Sequence, residues 1–366
     1  MAEMDRTKWL NYEDWAKATN NGKTPAAILG KEFDNATTLA SRLPIRQATD
    51  KFEDKGAFKE PWQKNRNSYV SDPDGVYTPS KKGTYTRSDI LGMRKSAVMM
   101  EVGQFKQMTA EQQNAFRLDQ VKDRFVDIAL DAESDMLYAN PVGTTGTYDQ
   151  STDVRNCLGL APRYNKITDH NGIYTASGTQ RMSPYITLDA GGTGNKLTSV
   201  WLIVPSADKG VCRLMPNGTQ FTGGIEYNPA DRPEWEDGVD AVTGIAGKKQ
   251  YLIDTFDYVY GIAILNRRSC IRIANIDMTD DTSMAKFINQ YRFALAAIDA
   301  GLKSANHIAF MNPIMKVYLE GYFDKKVTPS SFADAMPHVT SDGQSRIGIW
   351  ELSECPQILT TESKIS

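Results

Sequence analysis

The stretch that most constrains this chain is residues 109–139, TAEQQNAFRLDQVKDRFVDIALDAESDMLYA. Leu118, Val121, Phe125, Ile128, Ala132 and Met136 recur at steps of three and four, which puts them on one helical face. Asp119, Lys122, Asp123, Asp127, Asp131 and Glu133 read as lying mostly away from that stripe. Thr109 followed by Gln112 has the form of a capping box, which satisfies free amides at the helix start. Asn140-Pro141 marks the stop, because the residue before proline is pushed out of the helical region. At about 1.5 Å per residue the helix is expected to run roughly 45 Å, long enough to be a spine for everything else.

The segments before the spine lack cores of their own. Residues 1–48 hold a short helix candidate, Tyr12 to Ala18, and a second amphipathic piece, Pro25 to Leu43, carrying Ile28, Leu29, Phe33 and Leu39. Neither is long enough to stand alone, so the segment reads as an arm that needs a partner surface. Residues 49–90 scatter Phe52, Phe58, Trp62, Tyr69, Tyr77 and Tyr85 among lysines, acids and turn residues. Asp72-Pro73-Asp74-Gly75 is a turn signal, with Asn67–Val70 and Val76–Pro79 as candidate hairpin strands. Unless this loop is disordered, its aromatics require apolar surface elsewhere, on neighbouring subunits.

Residues 91–108 are expected to include a strand, and the chain after the spine is mainly strand-like. Ser199–Val204, Tyr251–Asp257, Tyr258–Leu265 and Cys270–Ile276 are strand candidates, the last two joined by a hairpin-like Asn266-Arg267-Arg268-Ser269. Residues 222–248 read as a Gly/Pro/acid-rich loop. Helices are expected from about Thr282 to Ala300 and from Asn312-Pro313 to near Phe323, followed by a last strand, Arg346–Leu352. The class is α+β, with no internal repeat.

Composition narrows the setting. With 366 residues, 40% apolar and 24% charged, the chain can bury a sizeable core beneath a polar surface. Cys157, Cys212, Cys270 and Cys355 lack the paired spacing of a zinc ribbon or disulfide framework and are expected as free, mostly buried thiols in a reducing compartment. MAEMDRTKWL has no signal-peptide character, and no stretch approaches the roughly 20 apolar residues of a membrane span, so a soluble protein made in the cytoplasm is expected. Residues 1–100 hold 17 Lys+Arg against 13 Asp+Glu, giving +4, and the remainder holds 25 against 32, giving -7. That split either favours a head segment lying on another copy's body or is ordinary fluctuation.

No catalytic signature is found. His170, His307 and His338 stand in no metal or nucleophile motif and are expected as surface or satisfied histidines. Ala190-Gly191-Gly192-Thr193-Gly194-Asn195-Lys196-Leu197-Thr198 fails as a phosphate loop on spacing, and a strand follows where a helix should begin, so a turn entering a strand is expected. Asp231-Arg232-Pro233-Glu234-Trp235-Glu236-Asp237-Gly238 lacks the alternating carboxylates of a calcium loop and reads as solvated, with a cation site between subunits as the alternative. Arg267-Arg268 reads as a solvated hairpin tip, with DNA contact as the alternative. No cofactor, no metal and no enzymatic activity are expected.

The order of elements, with the phrases DAESDMLYAN (131–140), GLAPRYN (159–165), DAGGTGNKLTSVWLIV (189–204) and IRIANID (271–277), resembles the major capsid proteins of tailed bacteriophages, whose fold herpesviruses share. MPNGTQFTGG (215–224) stands where a Pro-Gly turn is usual, while the surroundings of Asp72–Gly75 depart from the usual loop sequence. The resemblance implies an N-terminal arm (1–48), an extended loop or hairpin (49–90) and a peripheral domain (91–160) with spine helix 109–139. It further implies a mostly axial domain (161–335) and a C-terminal return to the peripheral domain (336–366). It implies self-assembly into hexamers and pentamers of an icosahedral head around double-stranded DNA, without sequence-specific binding and without membrane. Scaffolding, portal and decoration proteins would be the partners, with the virion capsid assembled in the host bacterial cytoplasm. Trp62, Tyr69, Tyr77, Lys81, Lys82 and Arg87 are the candidate inter-subunit contacts. The nearest rival is the shell protein of an enzyme-enclosing nanocompartment with the same fold, and a more distant one is an enzyme binding nucleotide through residues 189–198.

Overall fold

The computed structural model describes residues 25–50, 53–61, 84–105, 108–140, 156–167, 186–217, 224–230, 233–239, 246–298, 300–302, 306–326, 338–339, 345–347 and 349–366. In chain order, α1 (Pro25–Ala36), α2 (Leu39–Arg42) and β1 (Ile45–Gln47) precede a hairpin of β2 (Glu53–Pro61) and β3 (Thr84–Ile90). Next come β4 (Gly92–Glu101), the long helix α3 (Ala110–Tyr138), a single turn α4 (Leu160–Arg163), β5 (Thr187–Asp189) and β6 (Leu197–Ile203). β7 (Val211–Met215), β8 (Ile225–Asn228), β9 (Glu234–Val239), β10 (Ala246–Ile264) and β11 (Cys270–Asp277) follow. The chain closes with α5 (Asp281–Ala297), β12 (His307–Met311), α6 (Pro313–Lys326), β13 (His338–Val339), β14 (Ser345–Ile347) and β15 (Trp350–Glu354).

Helix α3 forms where the periodicity places it. Thr109 Oγ1 accepts the Gln112 amide at 3.3 Å while Gln112 Oε1 accepts the Thr109 amide at 3.0 Å, completing the capping box. The helix stops at Tyr138, and Ala139 turns extended. One charged residue was misplaced by the sequence pattern: Glu133 is 1% exposed and belongs to the buried face, as does Arg117.

Two large sheets pack around this helix. One runs β1-β7-β10-β4, with β8 and β9 also on β10, and the other runs β13-β14-β15-β12-β6-β11-β5. Strand β6 shows why its Val200–Ile203 run is continuously apolar. Trp201 and Ile203 join the core shared with Phe125, Phe256 and Tyr258, whereas Val200 and Leu202 join a second core with Phe287 of α5 and Met315 of α6. A strand buried on both faces has no polar side to show.

Several expectations are corrected. Tyr251–Asp257 and Tyr258–Leu265 are one 19-residue strand, β10, because no turn residue separates them. The loop expected over 222–248 contains β8 and β9, both antiparallel to β10. Asn266–Ser269 is not a hairpin: β10 and β11 lie in different sheets, so this 3-10 turn is a crossover. The single strand expected at Arg346–Leu352 is a tight antiparallel pair, β14 and β15. Strand β15 then pairs in parallel with β12, in the seven-stranded sheet.

The arm has a partner surface within its own chain. Leu29, Phe33, Leu39 and Leu43 are buried in the core that contains Phe125, with the Phe33 and Tyr258 ring centroids 5.1 Å apart. Each such apolar side chain contributes about 1.5–3 kcal/mol by leaving water. The helix expected at Tyr12–Ala18 and the strands expected at Asn67–Val70 and Val76–Pro79 lie outside the described residues. The described hairpin strands flank those positions in sequence, nearer the base of the same loop, and form a two-stranded sheet of their own.

Candidate functional site

The residues that could have carried catalysis have structural roles where they are described. His307 is buried with its ring 5.0 Å from that of Trp350; His170 is outside the described residues, as is the side chain of His338. The described residues hold no group of three or more His, Cys, Asp or Glu positioned for a metal ion. None of the four cysteines is in a disulfide, and all are buried.

The glycine-rich turn at 190–196 enters strand β6, as expected. Gly191 has φ +72, a conformation open to glycine, and its amide donates to Asp189 Oδ1 at 2.9 Å. The Gly192 amide donates to the Asn275 carbonyl at 2.8 Å, and a side chain there would collide with that backbone. These glycines serve close packing against the β11–α5 junction.

Arg268 is not a solvated tip. Its Nε donates to the Ala297 carbonyl at 2.9 Å and its Nη2 to that of Ile298 at 3.4 Å, closing the C-terminal end of α5. The acidic run is the edge strand β9, where Glu236 and Asp237 stand opposite Lys249 and Lys248 of β10, while Asp231 and Arg232 lie outside the described residues.

What the fold does assemble is a set of charged latches between distant segments. Arg117 of α3 and Asp254 of β10 are both fully buried; Arg117 Nε donates to Asp254 Oδ2 at 2.7 Å. Asp254 also accepts from Tyr227 Oη and the Ala230 amide, each at 2.9 Å. Glu133 Oε1 accepts three amides at the start of α2, those of Thr38, Leu39 and Ala40 at 2.9, 2.6 and 3.1 Å. Burial pushes the Glu133 carboxyl above its ordinary range against the opposing pull of those donors. Arg163 of α4 binds Asp89 at the end of the hairpin at 2.9 Å.

The C-terminal residues are held in the same way. Arg272 Nη2 donates to Glu362 Oε2 at 2.8 Å, and Ser199 donates to the same oxygen. Tyr138, the last residue of α3, donates to Glu362 Oε1 at 2.6 Å. Burial, then the Glu362 charge, raise the Tyr138 hydroxyl well above its ordinary value, so it remains a donor. Asn275, the one described non-glycine residue with positive φ, bonds the Ile365 amide and carbonyl at 2.8 and 2.9 Å.

Chemically, this arrangement is a brace: it links the long helix, both sheets, the N-terminal segment and the tail within one chain. Of the candidate inter-subunit contacts, Arg87 lies on β3 opposite Phe58 of β2. Trp62, Tyr69, Tyr77, Lys81 and Lys82 lie outside the described residues. The latch residues were missed in the sequence; the available signal was a charged residue at a stripe position of the long helix, Arg117 or Glu133.

The chain is similar to chains of several solved structures. A chain in the structure of bacteriophage Epsilon15 superimposes with a TM-score of 0.54 at 16% identity, over 89% of this chain and 88% of that one. A chain of the bacteriophage JBD30 capsid gives 0.41 at 8% identity, over 78% and 83%. The SrpI encapsulin complex of Synechococcus elongatus gives 0.34 at 12% identity, over 66% and 88%. The Epsilon15 match shows the fold to be that of tailed-phage capsids. No curated protein sequence matches the chain. The protein family described as major capsid protein GP7 matches residues 75–366, which takes in the hairpin strand β3, the spine, both large sheets apart from β1, and the latched tail. The chain therefore belongs to the major capsid protein GP7 family, and its role is structural, as a component of a bacteriophage capsid.

Proposed function

We propose that this chain is the repeating wall subunit of an icosahedral head, joining into hexamers and pentamers around double-stranded DNA in the host bacterial cytoplasm. The family match over 75–366 carries the reading. A hairpin in a two-stranded sheet of its own supports it, because a two-stranded ribbon is marginally stable without a further surface to pack on. In this reading residues 1–48 are the arm, 49–90 the extended loop, 91–160 the peripheral domain and 161–335 mostly the axial domain. Residues 336–366 return to the peripheral domain through Glu362 and Tyr138.

The loop lies over adjacent copies, burying Trp62, Tyr69 and Tyr77 and pairing Lys81, Lys82 and Arg87 with acids there. Weak contacts suffice, because many close together. Scaffolding, portal and decoration proteins are the further partners. A net charge of -3 avoids the tight counterion-releasing grip that a basic wall would have on packaged DNA. Deleting residues 60–80 is expected to leave soluble subunits or capsomers and no closed shells in negative-stain electron microscopy, whereas normal shells refute the loop's role. Neutralising Lys81, Lys82 and Arg87 is expected to weaken assembly and flatten its salt dependence. Shells that contain protein cargo and no nucleic acid point instead to a nanocompartment.

A further inference from the structure

Helix α6 is apolar on two sides. Met315, Leu319 and Phe323 are buried against α5 and the seven-stranded sheet. At about 100° per residue, Ile314, Val317 and Tyr318 form a second stripe on the far side. They are 52%, 67% and 44% exposed, where a surface helix ordinarily carries polar groups. A stripe of this kind has lost nothing by folding and has burial left to gain.

The same molecule carries a matching hollow elsewhere. Between α5, α6 and the β14–β15 turn lies an apolar groove of about 230 Å³, lined by Phe287, Ile288, Leu295, Phe323, Ile349 and Trp350. Ile349 at its mouth is 49% exposed. The α6 residues in the groove, Leu319 and Phe323, come from the buried side of the helix, so stripe and groove face different ways. Their charges are complementary: exposed Glu320 follows Val317 on α6, and exposed Arg292 lines the groove.

We propose that the Ile314–Val317–Tyr318 stripe of one copy seats in the α5–α6 groove of a second copy, with Glu320 against Arg292. The contact is heterologous, since two different patches meet, and a heterologous contact generates a ring when its rotation closes. This deepens the assembly reading and rests on it, naming one surface through which capsomers form. Three side chains cover far less than the roughly 800 Å² per partner of a stable pair. The contact is therefore weak alone and becomes effective when a ring closes and other contacts act with it.

The test uses the full chain. Val317→Asp and Ile349→Asp, both at exposed positions, are expected to abolish rings and shells in sedimentation and electron microscopy while thermal melting stays unchanged. Because the native thiols are buried, V317C and I349C place single reactive thiols on the surface. Mixing the two variants is expected to give a disulfide-linked heterodimer, whereas neither variant alone cross-links at more than a small fraction of that yield. Charge reversal by E320R or R292E is expected to weaken assembly, and combining both to restore it. Self-cross-linking of V317C, or linkage of I349C to residues 1–24 introduced with a cysteine, overturns the head-to-tail contact. Assembly of the wild type and all variants alike overturns this contact alone. A wild-type chain that stays monomeric at high concentration, with scaffold supplied, overturns the assembly reading and this contact with it.

Discussion

Arg117 and Asp254, 137 residues apart in sequence, form an ion pair with no exposure of either side chain, joining the spine helix to the longest strand. Removing one partner strands a buried charge, which costs about 3–5 kcal/mol, although the intact pair contributes much less than that over an apolar pair. Arg117→Met is therefore expected to destabilise by several kcal/mol in chemical denaturation. Combining it with Asp254→Leu is expected to cost less than the sum of the two single changes. Strict additivity would refute a direct coupling.

Glu133 caps α2 from another helix, with one carboxylate oxygen receiving three amides. Glu133→Gln keeps a carbonyl oxygen there and is expected to cost about 1 kcal/mol, while Glu133→Ala leaves buried donors unmet at about 1–3 kcal/mol each. Hydrogen exchange over residues 36–43 should quicken in the alanine variant and barely change in the glutamine variant. Equal exchange in all three proteins would show that the cap does not hold the arm.

The tail ends on a buried cation rather than fraying. Glu362 contacts Arg272, Ser199 and Tyr138, so Glu362→Ala is expected to lower stability by about 3–5 kcal/mol by leaving Arg272 buried without its carboxylate. A chain ending at residue 358 should lose at least as much. Terminal residues of most domains can be removed with little effect, and a melting midpoint unchanged by the truncation would place this tail among them.

Alkaline pH should destabilise the subunit. Burial pushes the Cys157, Cys270 and Cys355 thiols up to about 12, from an ordinary value of 9.0. Burial also carries Tyr164 and Tyr291 well above 10.0. The folded state keeps these protons while the unfolded chain releases them, so the stability is fully present below about pH 9 and falls as pH rises toward 12. Each group costs about 1.4 kcal/mol per pH unit within its window. The melting midpoint is expected to fall steeply above pH 9. Native protein at pH 8 should resist thiol reagents that label all four cysteines after unfolding. Rapid native labelling, or a level profile to pH 11, contradicts this.

The parts of the fold that were legible are those with short-range signals. The capping box at Thr109, and Asn312 accepting the Ile314 amide at the start of α6, involve residues two or three apart. Strand β10 was divided because its burial pattern changes midway. Its first half alternates, whereas Tyr258 to Ile264 is buried on both faces, with Val259 and Ala263 in a separate cluster. That change reflects what covers the strand, and it shows in the sequence as alternation giving way to a continuous apolar run with no turn residue between. For the site, the phrases around the spine and β6 were enough to indicate a capsid protein, while every latch escaped notice.

The sequence by itself determined the long helix, the buried strand at Ser199–Val204 and the helix starts, because caps and apolar periodicity act within a few residues of themselves, while the resemblance of four phrases gave the capsid family. Only the tertiary structure decided which sheet each strand entered, that the arm packs on its own spine, and which charges meet in the core. Strand partners and buried polar contacts join positions far apart in the chain, as Tyr138 and Glu362, 224 residues apart, show. A charged residue reads as solvent-facing until the fold buries it beside its counter-charge.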